Sequence, residues 1–162
     1  MATIETKKVK QVEEVSSVEF DNYIISEKIV KYTNFDDIGL NDKILRGIYG
    51  NGFEKPSPIQ KLAIKPMVEG RDMITQSHSG TGKTGTFMIG ILSNMDESVK
   101  GTQAVVVAPT RELAGQIFDV FTDLSRFTKI TGCLCIGGTL QNRYNYNKSN
   151  SENIIIGTPG RI

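Results

Sequence analysis

The 162-residue sequence predicts an α/β fold, a parallel sheet flanked by helices. Three observations carry that expectation. Apolar strand candidates at 72–76, 104–108, 133–136 and 153–156 alternate with helical stretches at 83–95, 111–127 and around 139–147, which is the pattern of βαβ units. The loops that follow the strands are short and rich in Gly, Thr and Pro. One stretch, Met73 to Thr84, reads as a strand, a small-residue loop and a helix start.

Taken in order, residues 1–34 form a separate compositional zone, rich in Lys, Glu, Val and Ser and free of Gly and Pro. Val9, Val12, Val15 and Val18 recur every three residues, a spacing that drifts around a helix and uses a poor helix former. A solvated, disordered N-terminal extension is expected over 1–34, with the globular part spanning 35–162. Asn41 is placed to cap a helix whose apolar face is Ile44, Leu45 and Ile48, and Gly50 and Gly52 are placed to end it. A second helix is expected over 58–68, with Pro58 in its first turn and Ile59, Leu62, Ala63 and Met67 as its stripe. Farther along, Leu113, Ile117, Phe121 and Leu124 are spaced for one buried face of the helix that starts at Arg111.

The sequence Ser77-His78-Ser79-Gly80-Thr81-Gly82-Lys83-Thr84-Gly85 reads as a phosphate cradle. Ser79, Gly80 and Gly82 keep Cβ bulk out of the turn, so backbone N–H groups can face an anion on the following helix N-terminus. Lys83 adds a mobile positive charge, and Thr84 a hydroxyl suited to a phosphate-bound Mg²⁺. Ser77 stands where the pattern G-x-x-x-x-G-K-[ST] has its first Gly. Gly85 and Gly90 should weaken the following helix by about 1 kcal/mol each relative to Ala. Tertiary packing has to compensate.

A net charge of +1, from 19 basic and 18 acidic residues, gives no global field for nucleic acid. Any such binding must come from local geometry. Cys133 and Cys135 sit two apart in an apolar run and read as reduced core thiols. His78 is the single histidine, so no metal is expected beyond one brought by a nucleotide. No stretch reaches signal-peptide or membrane-span length. No membrane partner, and an intracellular, reducing location, cytoplasmic or nuclear, are the expectation.

In a right-handed doubly wound sheet the loops after the strands gather on one edge. Besides the cradle, three of them are unusual: Pro109-Thr110-Arg111, Gly137-Gly138 and Thr158-Pro159-Gly160-Arg161. Two expected helix N-termini, each with a capping hydroxyl and an Arg, and a bare Gly-Gly backbone form a row of phosphate-sized anion sites.

These segments, with Gly52-Phe53-Glu54-Lys55-Pro56-Ser57-Pro58-Ile59-Gln60, resemble the motifs of the DEAD-box ATP-dependent RNA helicases in order and spacing. They match the Q motif, motif I, motif Ia, the Gly-Gly motif and motif Ib of that family. Arg46-Gly47-Ile48-Tyr49 and Gly70-Arg71-Asp72 are similar to the branch of translation initiation factor 4A. The resemblance implies a P-loop, RecA-like domain that binds ATP with Mg²⁺. Gln60 would read the adenine edge with its donor and acceptor, Phe53 would offer an apolar face, and Lys55 lies close by. Phe35 would correspond to the family's isolated upstream aromatic.

By the same resemblance, Pro109, Thr110, Arg111, Gly137, Gly138, Thr158, Pro159, Gly160 and Arg161 would contact the sugar–phosphate backbone of single-stranded or duplex RNA without reading its sequence. It further implies a second RecA-like domain and translation or mRNA-processing factors as partners. The acidic D-E-A-D segment has no counterpart before Ile162, so residues 1–162 alone are expected to be incomplete at the C-terminus, poorly stable and inactive in RNA-stimulated hydrolysis. Two other readings compete: another P-loop enzyme such as a kinase or GTPase, which leaves the Q motif without a reason, and a naturally short, non-catalytic ATP- or RNA-binding module.

Overall fold

In the computed structural model, residues 13–15, 29–138 and 152–162 are described. The expected helix near 139–147 lies outside them. Within the N-terminal zone, β1 (Glu13–Val15) and β2 (Ile29–Lys31) pair antiparallel, with Val15 opposite Ile29. The rest of the expected extension up to residue 28 also lies outside the described residues. Just past β2, Tyr32 N donates to Lys61 O at 3.5 Å.

Helix α1 (Asp42–Gly50) starts where its cap dictates, with the Asn41 side chain accepting from Lys43 N at 2.9 Å. It buries Ile44 and Ile48, and also Gly47. A Cβ at Gly47 would lie 2.2 Å from Leu124 O, so the backbones of α1 and α4 (Arg111–Ser125) cross with no room for a side chain. Helix α2 (Pro58–Val68) has a complete capping box: Ser57 N donates to Gln60 Oε1 at 2.8 Å, and Gln60 N to Ser57 Oγ at 3.5 Å. Helix α3 (Lys83–Ser93) keeps its weak glycine because α2 lies against it, and a Cβ at Gly90 would meet Met67 Cβ at 2.7 Å.

Strands β3 (Ala104–Val107), β4 (Gly132–Cys135) and β5 (Ile154–Gly157) form a parallel sheet in the order β3-β5-β4. Ile154 and Ile156 of β5 are fully buried in the core with Phe35, Ile48, Ile64, Met88, Ile89 and Leu124. The other face is less covered: Ile155 is half-buried, and Val105 and Val107, level with Ile155 and Gly157 on β3, are exposed.

Two expectations need correction. Residues 72–76 form no strand: among the described residues no ladder partner reaches them, and Ile74 is fully exposed. A segment becomes a strand only by pairing its N–H and C=O groups, and among the described residues neither β5, paired on both sides, nor the outer edge of β3 or β4 offers them that pairing. Leu113, placed by spacing on the buried face of α4, is exposed; Ala114 is buried beside Ile117, Phe121 and Leu124.

Phe35 is fully buried and meets Tyr49 edge-on, with ring centroids 6.3 Å apart. The Tyr49 hydroxyl donates to Asp36 Oδ2. That hydrogen bond, then burial, then the charges of Asp36 and Asp37 push the phenol up to about 12. The fold favours neutral Tyr49, so its contribution to stability is intact below the ordinary value of 10.0 and is lost as pH rises toward and through about 12. Alkaline titration followed by tyrosinate absorption should show Tyr49 ionising late, and Asp36→Asn should return it toward the ordinary range.

Candidate functional site

The loop between residues 77 and 83 folds on itself through its own small side chains. Gly80 and Gly82 have φ of 78° and 91°, the left-handed region that glycine alone adopts without strain. Ser77, standing where the motif has Gly, places its Oγ 2.6 Å from Thr81 Oγ1, and Thr81 Oγ1 donates to His78 O at 2.9 Å. The Ser77 hydroxyl therefore braces the loop across its mouth. Lys83 Nζ donates to Ser77 O at 2.7 Å and to His78 O. Thr84, the second residue of α3, is half-buried, and Thr86 Oγ1 returns to Gly82 O at 2.9 Å. Ser79 and Gly80 are exposed.

The loop is gripped from one side by α2. Ser57 Oγ donates to Thr81 O at 2.7 Å, and Gln60 Nε2 to Gly82 O at 3.4 Å. Gln60, 1% exposed, thus uses its carbonyl to cap α2 and its amide to hold the loop. The approach is close enough that a Cβ at Gly82 would stand 3.0 Å from Gln60 Nε2, and one at Gly85 would stand 3.1 Å from it and 3.6 Å from Phe53 Cζ. Phe53, half-buried, therefore sits beside the first turn of α3 with Gln60. Lys55 is exposed in the same connection, whereas Phe35 is enclosed in the core. Spacing alone did not reveal the double use of Gln60. The signal was there: Ser57 followed three residues later by Gln60 is a capping box.

The other three loops meet at the carboxyl edge of the sheet, as parallel strands require. Thr110 caps α4, its hydroxyl accepting from Leu113 N at 3.2 Å, and Pro109, Thr110 and Arg111 are exposed. The guanidinium of Arg111 lies over the Gly-Gly turn after β4: a Cβ at Gly138 would be 2.7 Å from Arg111 Nη1, and one at Gly137 3.3 Å from Nη2. Any larger residue at 138 would displace the arginine. Thr158 N donates to Cys135 O at 3.1 Å, joining the turn after β5 to the end of β4. That turn closes as Arg161 N donates to Thr158 O at 2.9 Å, leaving Pro159, Gly160 and Arg161 exposed.

A glycine-braced cradle opening a helix, beside a parallel sheet whose loops converge on one edge, defines a RecA-like α/β domain. The chain belongs to the DEAD/DEAH box helicase family, whose profile matches residues 57–162. It is 48% identical over 147 residues to eukaryotic initiation factor 4A of Drosophila melanogaster, covering 91% of this chain and 36% of that protein. To the ATP-dependent RNA helicase eIF4A of Yarrowia lipolytica it is 51% identical over 130 residues, covering 80% and 33%.

Among solved structures, a DEAD box protein from the hyperthermophile Methanococcus jannaschii superposes with a TM-score of 0.76 at 34% identity, covering 82% of this chain and 36% of that one. Dbp5 of S. cerevisiae bound to RNA and ADP BeF3 gives 0.73 at 39% identity, covering 80% and 33%. The chain thus spans about a third of the length of the relatives it matches.

Proposed function

We propose that this chain supplies the ATP-binding and RNA-backbone-binding surface of an ATP-dependent RNA helicase of the initiation factor 4A kind. One observation carries the reading: Ser57 and Gln60 bond the backbone of Thr81 and Gly82, so an adenine-facing segment and a phosphate cradle form one unit. The cradle suits a polyphosphate, because Gly80 and Gly82 hold positive φ and Lys83 rests on loop carbonyls that a phosphate can replace. Backbone N–H groups of 79–84 and the Lys83 ammonium would hold the β and γ phosphates, and Thr84 Oγ1 would be the chain's ligand to Mg²⁺. The bound metal would supply charge neutralisation between the phosphates.

Phe53 and Gln60 would hold the base, with the Gln60 amide turning from Gly82 O toward the adenine edge. Lys55 would stand nearby. Phe35 would serve the site through the core that positions Phe53. Gln60→Ala should narrow the preference for ATP over GTP by about 1 to 3 kcal/mol, the cost of an unpaired buried amide contact. Competition binding of the two nucleotides to the chain checks this. An unchanged preference would leave Gln60 as a helix cap and loop tie and remove the adenine reading.

Thr110, Arg111, Gly137, Gly138, Thr158, Gly160 and Arg161, with the adjoining Pro109 and Pro159, would carry the RNA sugar–phosphate backbone along the carboxyl edge. Exposed N–H groups and arginines favour phosphate over base. RNA affinity should therefore fall as salt rises and should change little between unrelated strands of equal length. Titrations at two salt concentrations test it, and a preference of several hundredfold for one sequence would contradict it. A second RecA-like domain, and factors of translation or mRNA processing, are the partners this reading brings with it, in cytoplasm or nucleus.

A further inference from the structure

Cys133 and Cys135 are unbridged, and their sulfurs lie 3.7 Å apart. Residues two apart on a strand point to the same face, so the spacing follows from β4 itself. A disulfide fits this frame poorly. Strand residues two apart are about 6.6 Å apart at Cα, the upper end of the disulfide range, and closing the sulfurs to about 2.05 Å would pull β4 off its ladder with β5. A bridging cation needs no such contraction. Two thiolates at about 2.3 Å from one ion, at the tetrahedral angle, stand about 3.8 Å apart. The pair already has that bite.

The surroundings leave room on one side. Cys133 is buried, but Cys135 is half-buried at the carboxyl end of the strand. Its partner across the ladder is Gly157, where a Cβ would come within 2.9 Å of Cys135 Cβ. Glycine there keeps β5 from placing a side chain directly opposite Cys135, whereas Cys133 has Ile155 as its ladder partner, so the open side of the pair is the Cys135 end. Among the described residues no group of three or more His, Cys, Asp and Glu could complete a closed metal cage. Water or a small exogenous thiol would take the remaining positions.

We propose that Cys133 and Cys135 form an open two-thiolate site for a thiophilic divalent d¹⁰ cation of the zinc group. Binding is not a redox step. Each S–H bond gives its proton to solvent, two metal–sulfur bonds form, and two protons leave per ion. Soft thiolate ligands select such ions over Mg²⁺, so the site is chemically separate from the cradle and does not depend on the nucleotide reading.

The test is titration of the reduced chain with Cd²⁺, followed by the thiolate-to-metal charge-transfer absorption in the ultraviolet. The band should saturate at one ion per chain, be displaced by Zn²⁺, and be lost in Cys133→Ser and in Cys135→Ser. An unfolded chain could also present the two thiols to an ion, so thermal unfolding is followed with and without Cd²⁺. A rise in Tm places the ion on the folded strand. A fall or no change overturns the proposal, as does a band that survives either substitution. Should a serine variant fail to fold, alkylation of the unaltered chain decides it: Zn²⁺ should protect both thiols together, and equal labelling with and without Zn²⁺ overturns the site.

Discussion

In a full-length protein that carries this segment in the proposed ATP-binding role, replacing Lys83 by Ala is expected to abolish productive ATP use, lowering turnover about 10²- to 10³-fold, the usual cost of one lost electrostatic contact to developing charge. The reason is geometric. Lys83 opens α3, and its ammonium reaches back over the loop to Ser77 O and His78 O, the mouth that a phosphate chain would enter. His78 O also accepts from Thr81 Oγ1, and Ser77 Oγ contacts the same hydroxyl, so the loop keeps its own bracing when the ammonium leaves. The loop should therefore hold its shape in the variant while losing the charge. Phosphoryl transfer rests on positioning and charge stabilisation, which makes loss of the loop's mobile cation severe. Steady-state hydrolysis by the full-length variant and its full-length parent, with thermal unfolding to show that both fold, gives the answer. Near-normal turnover would remove this loop from the chemistry.

Asn153→Ala should cost about 1 to 3 kcal/mol of stability, with a fall in Tm of several degrees, because four side-chain hydrogen bonds are lost from a buried position. Asn153 lies just before β5 and ties together the amino ends of the sheet. Its Nδ2 donates to Val99 O at 2.9 Å and to Gly101 O at 3.3 Å, while its Oδ1 accepts from Thr131 N at 3.1 Å and from Thr131 Oγ1 at 3.4 Å. Its backbone O takes Gln103 N at 2.8 Å as well. Alanine keeps the backbone bonds and strips the side-chain ones. Asn94 is the control: its Nδ2 also bonds two carbonyls, Met67 O and Gly90 O, but it is exposed, so water replaces the lost contacts and Asn94→Ala should cost about 1 kcal/mol or less. Thermal or urea unfolding of the two variants compares them directly, and equal losses would show that burial of Asn153 contributes nothing.

Lys83 and Asn153 were not equally visible in the sequence. The contacts of Lys83 were legible, because its carbonyl partners lie within six positions, inside the same pattern that carries its proposed role. Asn153 carried no signal at all, since its partners at 99, 101 and 131 are 22 to 54 positions away.

The same distinction runs through the whole molecule. Helix starts were legible at Asn41 and Thr110, because a cap is a contract between residues two or three apart, and at Pro58, whose ring suits a first turn. The parallel sheet was legible too, because alternating strand and helix patterns leave short connections no other economical arrangement. Tertiary structure alone decided that residues 72–76 stay out of the sheet, since a strand exists only when distant backbone presents itself for pairing. It alone showed why Gly47 and Gly90 stand in helices, where local propensity argues against them: Leu124 O and Met67 Cβ occupy the space a side chain would need. It also brought Arg111 onto Gly137-Gly138 and Gln60 onto Gly82, contacts whose partners are more than twenty residues apart. Local chemistry fixed where the elements begin and how the 77–83 loop turns on its glycines. Long-range packing fixed which side chains reach it, because close approach depends on volume and backbone partners supplied from elsewhere in the chain.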